Sequence, residues 1–317
     1  MSVLECNNLS LINSRFPLLP FEFVSQNRLM PSSFGKFALS CFFLVPLPLF
    51  AWWETGHQAI ARIAAAHLTP AARARIAHLL DVEDTPDAVA DAMAQASLWA
   101  DETKRETRTG AWHYIDLAIQ DSRSDIPLRC RDNNCAPARI RLFAAQLASK
   151  NADYRWSDRD ALRYVIHFVG DIHQPLHTIS DADLGGNCER LNPYIGQAKN
   201  LHALWDGELV NELNLSDKEL AAQLENRAQS AASAGTIDDW VWESHELAIA
   251  DVYKELRIPT QVVEFPANCA DAPLAIGELQ LDISAAYMAN MKPVVEEQLI
   301  KAGLRLAKLL NDTFAGQ

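Results

Sequence analysis

The stretch His167-Phe-Val-Gly-Asp171-Ile-His-Gln-Pro-Leu-His177 decides how the chain is built. Its first half ends an apolar helical segment, 157–172. Four residues apart, His167 and Asp171 lie about 40° apart around that helix, so both reach one cation. Pro175 breaks the helix, and His177 follows it. His202 and Asp206 repeat the four-residue spacing in a second helical segment, 200–213. Spacing alone does not separate ligands from helix-surface ion pairs. With 41 acids in 317 residues, a His meets an acid four residues on about once in eight, and His177 and Asp181 form a third such pair.

Outward from this stretch the helical signals recur. Residues 56–67 are rich in Ala and Ile. Thr69-Pro70 and Thr85-Pro86-Asp87 each set an N-cap Thr before a Pro at the first helical position, and the second helix is expected to reach about Thr103. Segments 138–150, 216–233 and 239–256 follow. Residues 293–310 close the chain with Val294, Val295, Leu299, Ala302, Leu306 and Leu309 at helical spacing. Segments 105–137 and 178–199 read as loops, the latter carrying Gly185-Gly186-Asn187. Strand signals are weak, and no linker or repeat interrupts 52–317. The expectation is one all-α domain.

Upstream of Trp52 the pattern changes. Residues 37–51 are an uncharged apolar run behind Lys36, too short to span a bilayer but matching the core of a secretory signal. Ala51 is small enough to precede the cut, and Met30 is a candidate true start. Residues 1–51 are therefore expected to be a leader for export to the periplasm or beyond; a buried N-terminal helix is the competing reading. Of six cysteines, Cys6 and Cys41 fall in the leader. The even remainder points to Cys130–Cys135 closing a small loop and Cys188–Cys269 tying distant segments. A cysteine zinc site would need a second close Cys pair.

The chain carries 28 basic and 41 acidic residues, a formal charge of −13. Removal of the leader takes away two acids and three bases and leaves −14. Such a balance excludes a protein that grips long duplex nucleic acid through a basic groove. Chemistry on phosphates would need a local positive centre. Candidates for one come from polar groups in apolar settings. Asp101 ends the run Ala96-Ser-Leu-Trp-Ala100, and a carboxylate on a helix's apolar edge needs a cation. His113 is flanked by aromatics. His57 lies five residues after Trp52, whose α-amino group, with a reference pKa of about 7.7–8, would become a ligand once the leader is cut. His67, His78 and His245 read as surface or satisfied core residues. His173, two residues from Asp171, points away from it and reads as structural. Trp99, Trp112, Trp205, Trp240 and Trp242 read as core.

Taken in order, Trp52-x4-His57, Trp99-Ala-Asp101, Trp112-His-Tyr-Ile-Asp116, the 167–177 stretch, Gly185-Gly186-Asn187 and Asn200-Leu-His202-Ala-Leu-Trp-Asp206 resemble the S1/P1 family of zinc-dependent single-strand nucleases. The likeness covers about 52–211, with a weaker helical match beyond. It implies an all-helical fold akin to bacterial zinc phospholipases C, and three Zn2+ per chain. One zinc would take Asp101, His113, His167 and Asp171. A second would take the amino nitrogen and carbonyl oxygen of Trp52, His57 and bridging Asp171. The third would take His177, His202 and Asp206. The resemblance further implies cleavage of single-stranded DNA and RNA to 5′-phosphorylated products and release of phosphate from 3′-nucleotides. A water ionised between the zinc pair bridged by Asp171 would be the nucleophile.

Tyr114, standing where the fungal members have Phe, would stack on a base whose edge Asp116 holds; core packing is the alternative for Tyr114. Lys104 or Arg105 would touch phosphate, or simply face solvent, and Asn187 would line the site. The protein is expected to be a monomer with no stable membrane association. Two other readings compete: a zinc phospholipase C and a non-catalytic periplasmic zinc-binding protein. Against the first stand the short gap between Trp52 and His57 and the presence of Asp206 where the phospholipases have Glu.

Overall fold

The computed structural model describes residues 52–149, 155–228, 230–260, 268–272 and 280–316. The expected leader lies outside these. Helix α1 (Trp53–Ala66) is followed by α2 (Pro70–Leu80), α3 (Pro86–Ala96), α4 (Trp99–Thr107), the single turn α5 (Ile126–Arg129), α6 (Ala136–Ala148) and α7 (Asp158–Asp171). A 3-10 turn, Pro175–His177, and a hairpin of β1 (Arg190–Ile195) and β2 (Ala198–Asn200) lead into α8, residues 201–211. Then come α9 (Asp217–Glu225), α10 (Ile237–Leu247) and the long terminal helix α11 (Ala285–Phe314). A short β3 (Gln280–Leu281) runs parallel to β1, giving the sheet order β2-β1-β3. The fold is helical, as expected, with this one small sheet added.

The caps read from the sequence form. Thr69 Oγ1 accepts from the Ala72 amide at 3.2 Å and Thr85 Oγ1 from Ala88 at 3.3 Å, each ahead of a Pro at the first helical position. Several expectations change: the helix expected over 216–233 ends at Glu225, and the segment 105–137, expected as a loop, contains α5. The helix expected to run from 86 to about 103 breaks between Ala96 and Trp99, and the site uses the carbonyl exposed there. The closing helix starts at Ala285, with Pro293 inside it, because Ser284 Oγ caps the Tyr287 amide at 3.1 Å. Segment 178–199, expected as a loop, contains β1. Its sequence Arg-Leu-Asn-Pro-Tyr-Ile shows no clean alternation, and Pro193 removes a ladder donor.

Helix α7 is the centre of the fold, with every residue from Tyr164 to Asp171 buried. Its first turn, Asp158–Asp160, reaches the surface, and its second half is enclosed on every side. It packs against α6, α4, α3 and α11, while α1 packs on α3, α9 and α11. Cys130–Cys135 and Cys188–Cys269 are bonded as expected, the second spanning 81 residues. Among the described residues no helix is long and apolar enough to cross a membrane.

Candidate metal centre

Six elements deliver eight side chains to one place. Helix α1 carries His57, the first turn of α4 carries Asp101, and a 3-10 turn, Gly110–His113, carries His113. His167 and Asp171 come from the last turns of α7, with His177 just past it. His202 and Asp206 come from α8, whose middle, Leu204–Glu208, widens into a π-turn, a distortion frequent at functional sites.

Asp171 is the hub. His57 Nε2 lies 3.4 Å from its Oδ1, while His113 Nδ1 and His167 Nε2 lie 3.1 and 3.3 Å from Oδ2. Asp101 Oδ1 stands 3.4 Å from His113 Nδ1, and Asp206 stands 3.5 Å from His177 Nε2 and 3.3 Å from His202 Nε2. Three sets converge closely enough to hold a metal ion: His57, His167 and Asp171; Asp101, His113 and His167; His177, His202 and Asp206. The third coincides with the expected third set; the other two share His167, where the expected sets share Asp171.

The donor atoms test the fit. Among the atoms that face the centre, buried and without a hydrogen-bond partner are Nε2 of His57 and of His177, Oδ2 of Asp101 and both oxygens of Asp171. Leaving so many buried polar atoms unsatisfied is expensive unless a cation answers them. The spacing also suits zinc: donors about 2.0–2.1 Å from one tetrahedral ion stand about 3.3 Å apart. Imidazole and carboxylate are its usual ligands.

Backbone carbonyls aim the rings. His167 Nδ1 faces Ser97 O at 2.6 Å, His177 Nδ1 faces His113 O at 2.9 Å and His202 Nδ1 faces Gly185 O at 2.7 Å. With Nδ1–H donated, each Nε2 lone pair points at the carboxylates, the arrangement that orients metal-binding histidines. The break between α3 and α4 leaves Ser97 O free for His167. Gln174 fixes the third set, accepting from the Leu176 amide and donating to Asp206 Oδ1. Ser97, Gly185 and Gln174 were not anticipated: two act through carbonyls, which carry no residue-type signal, and Gln174 lay unremarked inside the decisive stretch.

Close approach requires two glycines. A Cβ on Gly170 would lie 2.8 Å from His57 Nδ1. At Gly185, with φ +61°, a Cβ would lie 2.4 Å from Leu176 O.

Burial would raise the Asp171 carboxyl, but the charge of His167 and the approach of His113, His167 and His57 hold it well below the usual range. Burial likewise opposes protonation of His177, yet Asp206 and Asp171 push it up to about 9. His57 and His202 are lowered, chiefly by burial. His57 stacks on His167 with centroids 4.0 Å apart.

Lys104 reaches the centre, its Nζ 2.9 Å from Asp101 Oδ1, and Arg105 is exposed. Tyr114 is 40% exposed, which removes the core-packing alternative. Its backbone is held where its carbonyl accepts from the Ala136 amide at 3.0 Å. Asp116 is pushed up to about 6 by burial and then by Asp183, against Arg129 and His177. Asn187 donates to Leu184 O at 2.8 Å and makes no described contact with the three sets. His173 is turned away, between Val169 O and Arg305, and His245 faces Thr178 O; both are buried and structural. Of the other two histidines, His67 pairs with Glu225 at 2.7 Å and His78 is exposed.

The model of the S1/P1 Nuclease family matches residues 52–315. The chain belongs to the S1/P1 nuclease family. Nuclease S1 of Aspergillus oryzae is 28% identical over 92% of this chain and 99% of its own length. Endonuclease 2 of Arabidopsis thaliana is 26% identical over 84% of this chain and 91% of its own. Nuclease P1 of Penicillium citrinum is 26% identical over 82% and 97%. S1/P1 nucleases are zinc-dependent, in keeping with the His/Asp sets.

Proposed function

We propose that this S1/P1 nuclease hydrolyses single-stranded DNA and RNA to 5′-phosphorylated products and dephosphorylates 3′-nucleotides, using three zinc ions. The observation that carries the reading is the convergence of buried, partnerless imidazole and carboxylate atoms on Asp171 and Asp206. The ligands are Trp52, His57, Asp101, His113, His167, Asp171, His177, His202 and Asp206.

Zinc bound there supplies Lewis acidity toward phosphate oxygens and a water that ionises near neutral pH. The protein does the rest. Asp171, kept ionised, offers one oxygen to each neighbouring set. The Nδ1 contacts to Ser97, His113 and Gly185 hold three rings in one tautomer. Lys104, beside Asp101, adds a cation at the edge where a phosphate would enter. Tyr114 presents a ring face to an unstacked base, and Asp116 beside it accepts from a base edge. Asn187 remains a residue of the neighbouring loop without an assigned contact. A stacking slot of this kind favours single strands and needs no basic groove.

Trp52 is taken as the first residue of the active form, residues 1–51 being a leader and 52–317 the nuclease domain. Its side chain is 0% exposed, and Nε1 donates to Gly170 O at 3.0 Å, next to His57 and Asp171. Two disulfides suit a chain that is exported, to the periplasm or medium, as a monomer without stable membrane association.

Purified active protein is expected to carry three zincs and to cleave single-stranded DNA, RNA and 3′-AMP, all lost on chelation. Zinc without either nuclease or 3′-nucleotidase activity would overturn the reading.

A further inference from the structure

The turn between Asp171 and His177 is held from behind by polar groups that the metal centre does not use. His173 stands between the two ligand candidates, fully buried and turned away from both. Arg305 Nη1 lies 3.0 Å from its Nε2, and a guanidinium can only donate, so Nε2 is the acceptor. The ring proton is then on Nδ1, which donates to Val169 O at 2.7 Å. Both nitrogens are used, and the ring cannot rotate without breaking a bond.

Arg305 lies on α11 and is 3% exposed. Its Nε donates to Ala232 O at 3.1 Å and its Nη2 to Glu243 Oε2 at 2.5 Å. One guanidinium thus joins α11, α10, the 3-10 turn Ser230–Ser233 and the turn after α7. Gln298, seven residues earlier and so on the same face of α11, is also buried. Its Nε2 donates to His173 O at 2.8 Å and to Ser244 Oγ at 3.2 Å. Side chain and backbone of His173 are therefore gripped from one helix.

A buried guanidinium is costly unless its charge is paired and its donors are answered. Apolar side chains would fill the same space at less cost, but they would not fix a direction. We propose that Arg305 and Gln298 are positioning residues for the metal centre: by holding His173 they set the spacing of Asp171 from His177, and so of the Asp171-centred sets from the third set. The proposal rests on the zinc reading above. Neither residue makes a described contact with a ligand candidate, and Glu243 offsets the charge of Arg305, so the effect is one of geometry.

The test is zinc affinity by chelator competition, with thermal unfolding and steady-state kinetics on the same preparations. Arg305→Met keeps the stem and removes the donors; it should weaken the most loosely held zinc about tenfold and lower kcat. KM for short single strands should not change, because the Tyr114 carbonyl is held by the Ala136 amide of α6. Leu310→Ala, a buried truncation on the same helix, is the control: it should lower Tm and leave zinc affinity at the wild-type value. Should Arg305→Met not fold, Gln298→Leu carries the test, with zinc weakened and kcat lowered at constant KM. Zinc held by the variant as tightly as by wild type, or loosened equally by Leu310→Ala, would overturn the proposal and leave the nuclease reading intact. A wild-type protein that binds no zinc would overturn both.

Discussion

Tyr114 is a large ring left 40% exposed directly after the buried imidazole of His113. In the proposed function it is the base platform, and a stacked base is worth about 1–3 kcal/mol. Tyr114→Ala should raise KM for single-stranded substrates about 10- to 100-fold with little change in kcat, and Tyr114→Phe should behave as wild type. Steady-state kinetics on short oligonucleotides would measure both. Gln174 bears on the metals instead. Because it spans the Leu176 amide and Asp206, Gln174→Leu should weaken zinc at the third set about 10- to 100-fold, read by chelator competition. The candidate ligand residues were legible as residue types at telling spacings. The exposure of Tyr114 was not, because an aromatic between His113 and Ile115 suits a core equally well.

At the scale of elements, the site depends on how closely α1 and α7 approach. Gly170 permits His57 to lie against α7, and a methyl there would stand 2.8 Å from the ring. Gly170→Ala should cost about 1–3 kcal/mol in stability as the helices separate. It should also lower zinc content and activity together, unlike a surface Gly→Ala change; calorimetry and metal analysis would show the pairing. Two local distortions serve the same end. The interruption at Ser97-Leu98 frees a carbonyl for His167, and the π-turn 204–208 carries Asp206. Caps and periodicity made most helices readable. They could not reveal a break that is maintained by a contact 70 residues away.

At the scale of the domain, the described helices enclose unsatisfied charge. Removal of zinc should therefore destabilise the protein as well as inactivate it, with chelation lowering Tm and zinc alone restoring it; an unchanged Tm would contradict the fit of the donor set. Retention of even one residue before Trp52 should strongly reduce activity while leaving circular dichroism unchanged, because the α-amino group proposed as a ligand would be an amide. The net charge of −13 fits a nuclease whose positive charge is concentrated in metals. Three zincs would bring the form lacking 1–51 from −14 to about −8, still too acidic to hold duplex DNA by its surface.

The amino-acid sequence by itself determined the helical class, the disulfide partners and nearly every metal-ligand candidate. Each of these is local in origin: a periodicity, a cap, a cysteine count or a His/Asp spacing. Tertiary structure alone decided which histidines share a carboxylate and which carbonyls set their tautomers. It also decided that His245 is buried in the core rather than at the surface, its ring held against the Thr178 carbonyl. Those outcomes depend on distances between residues far apart in the chain, and on burial from water, which no single stretch encodes.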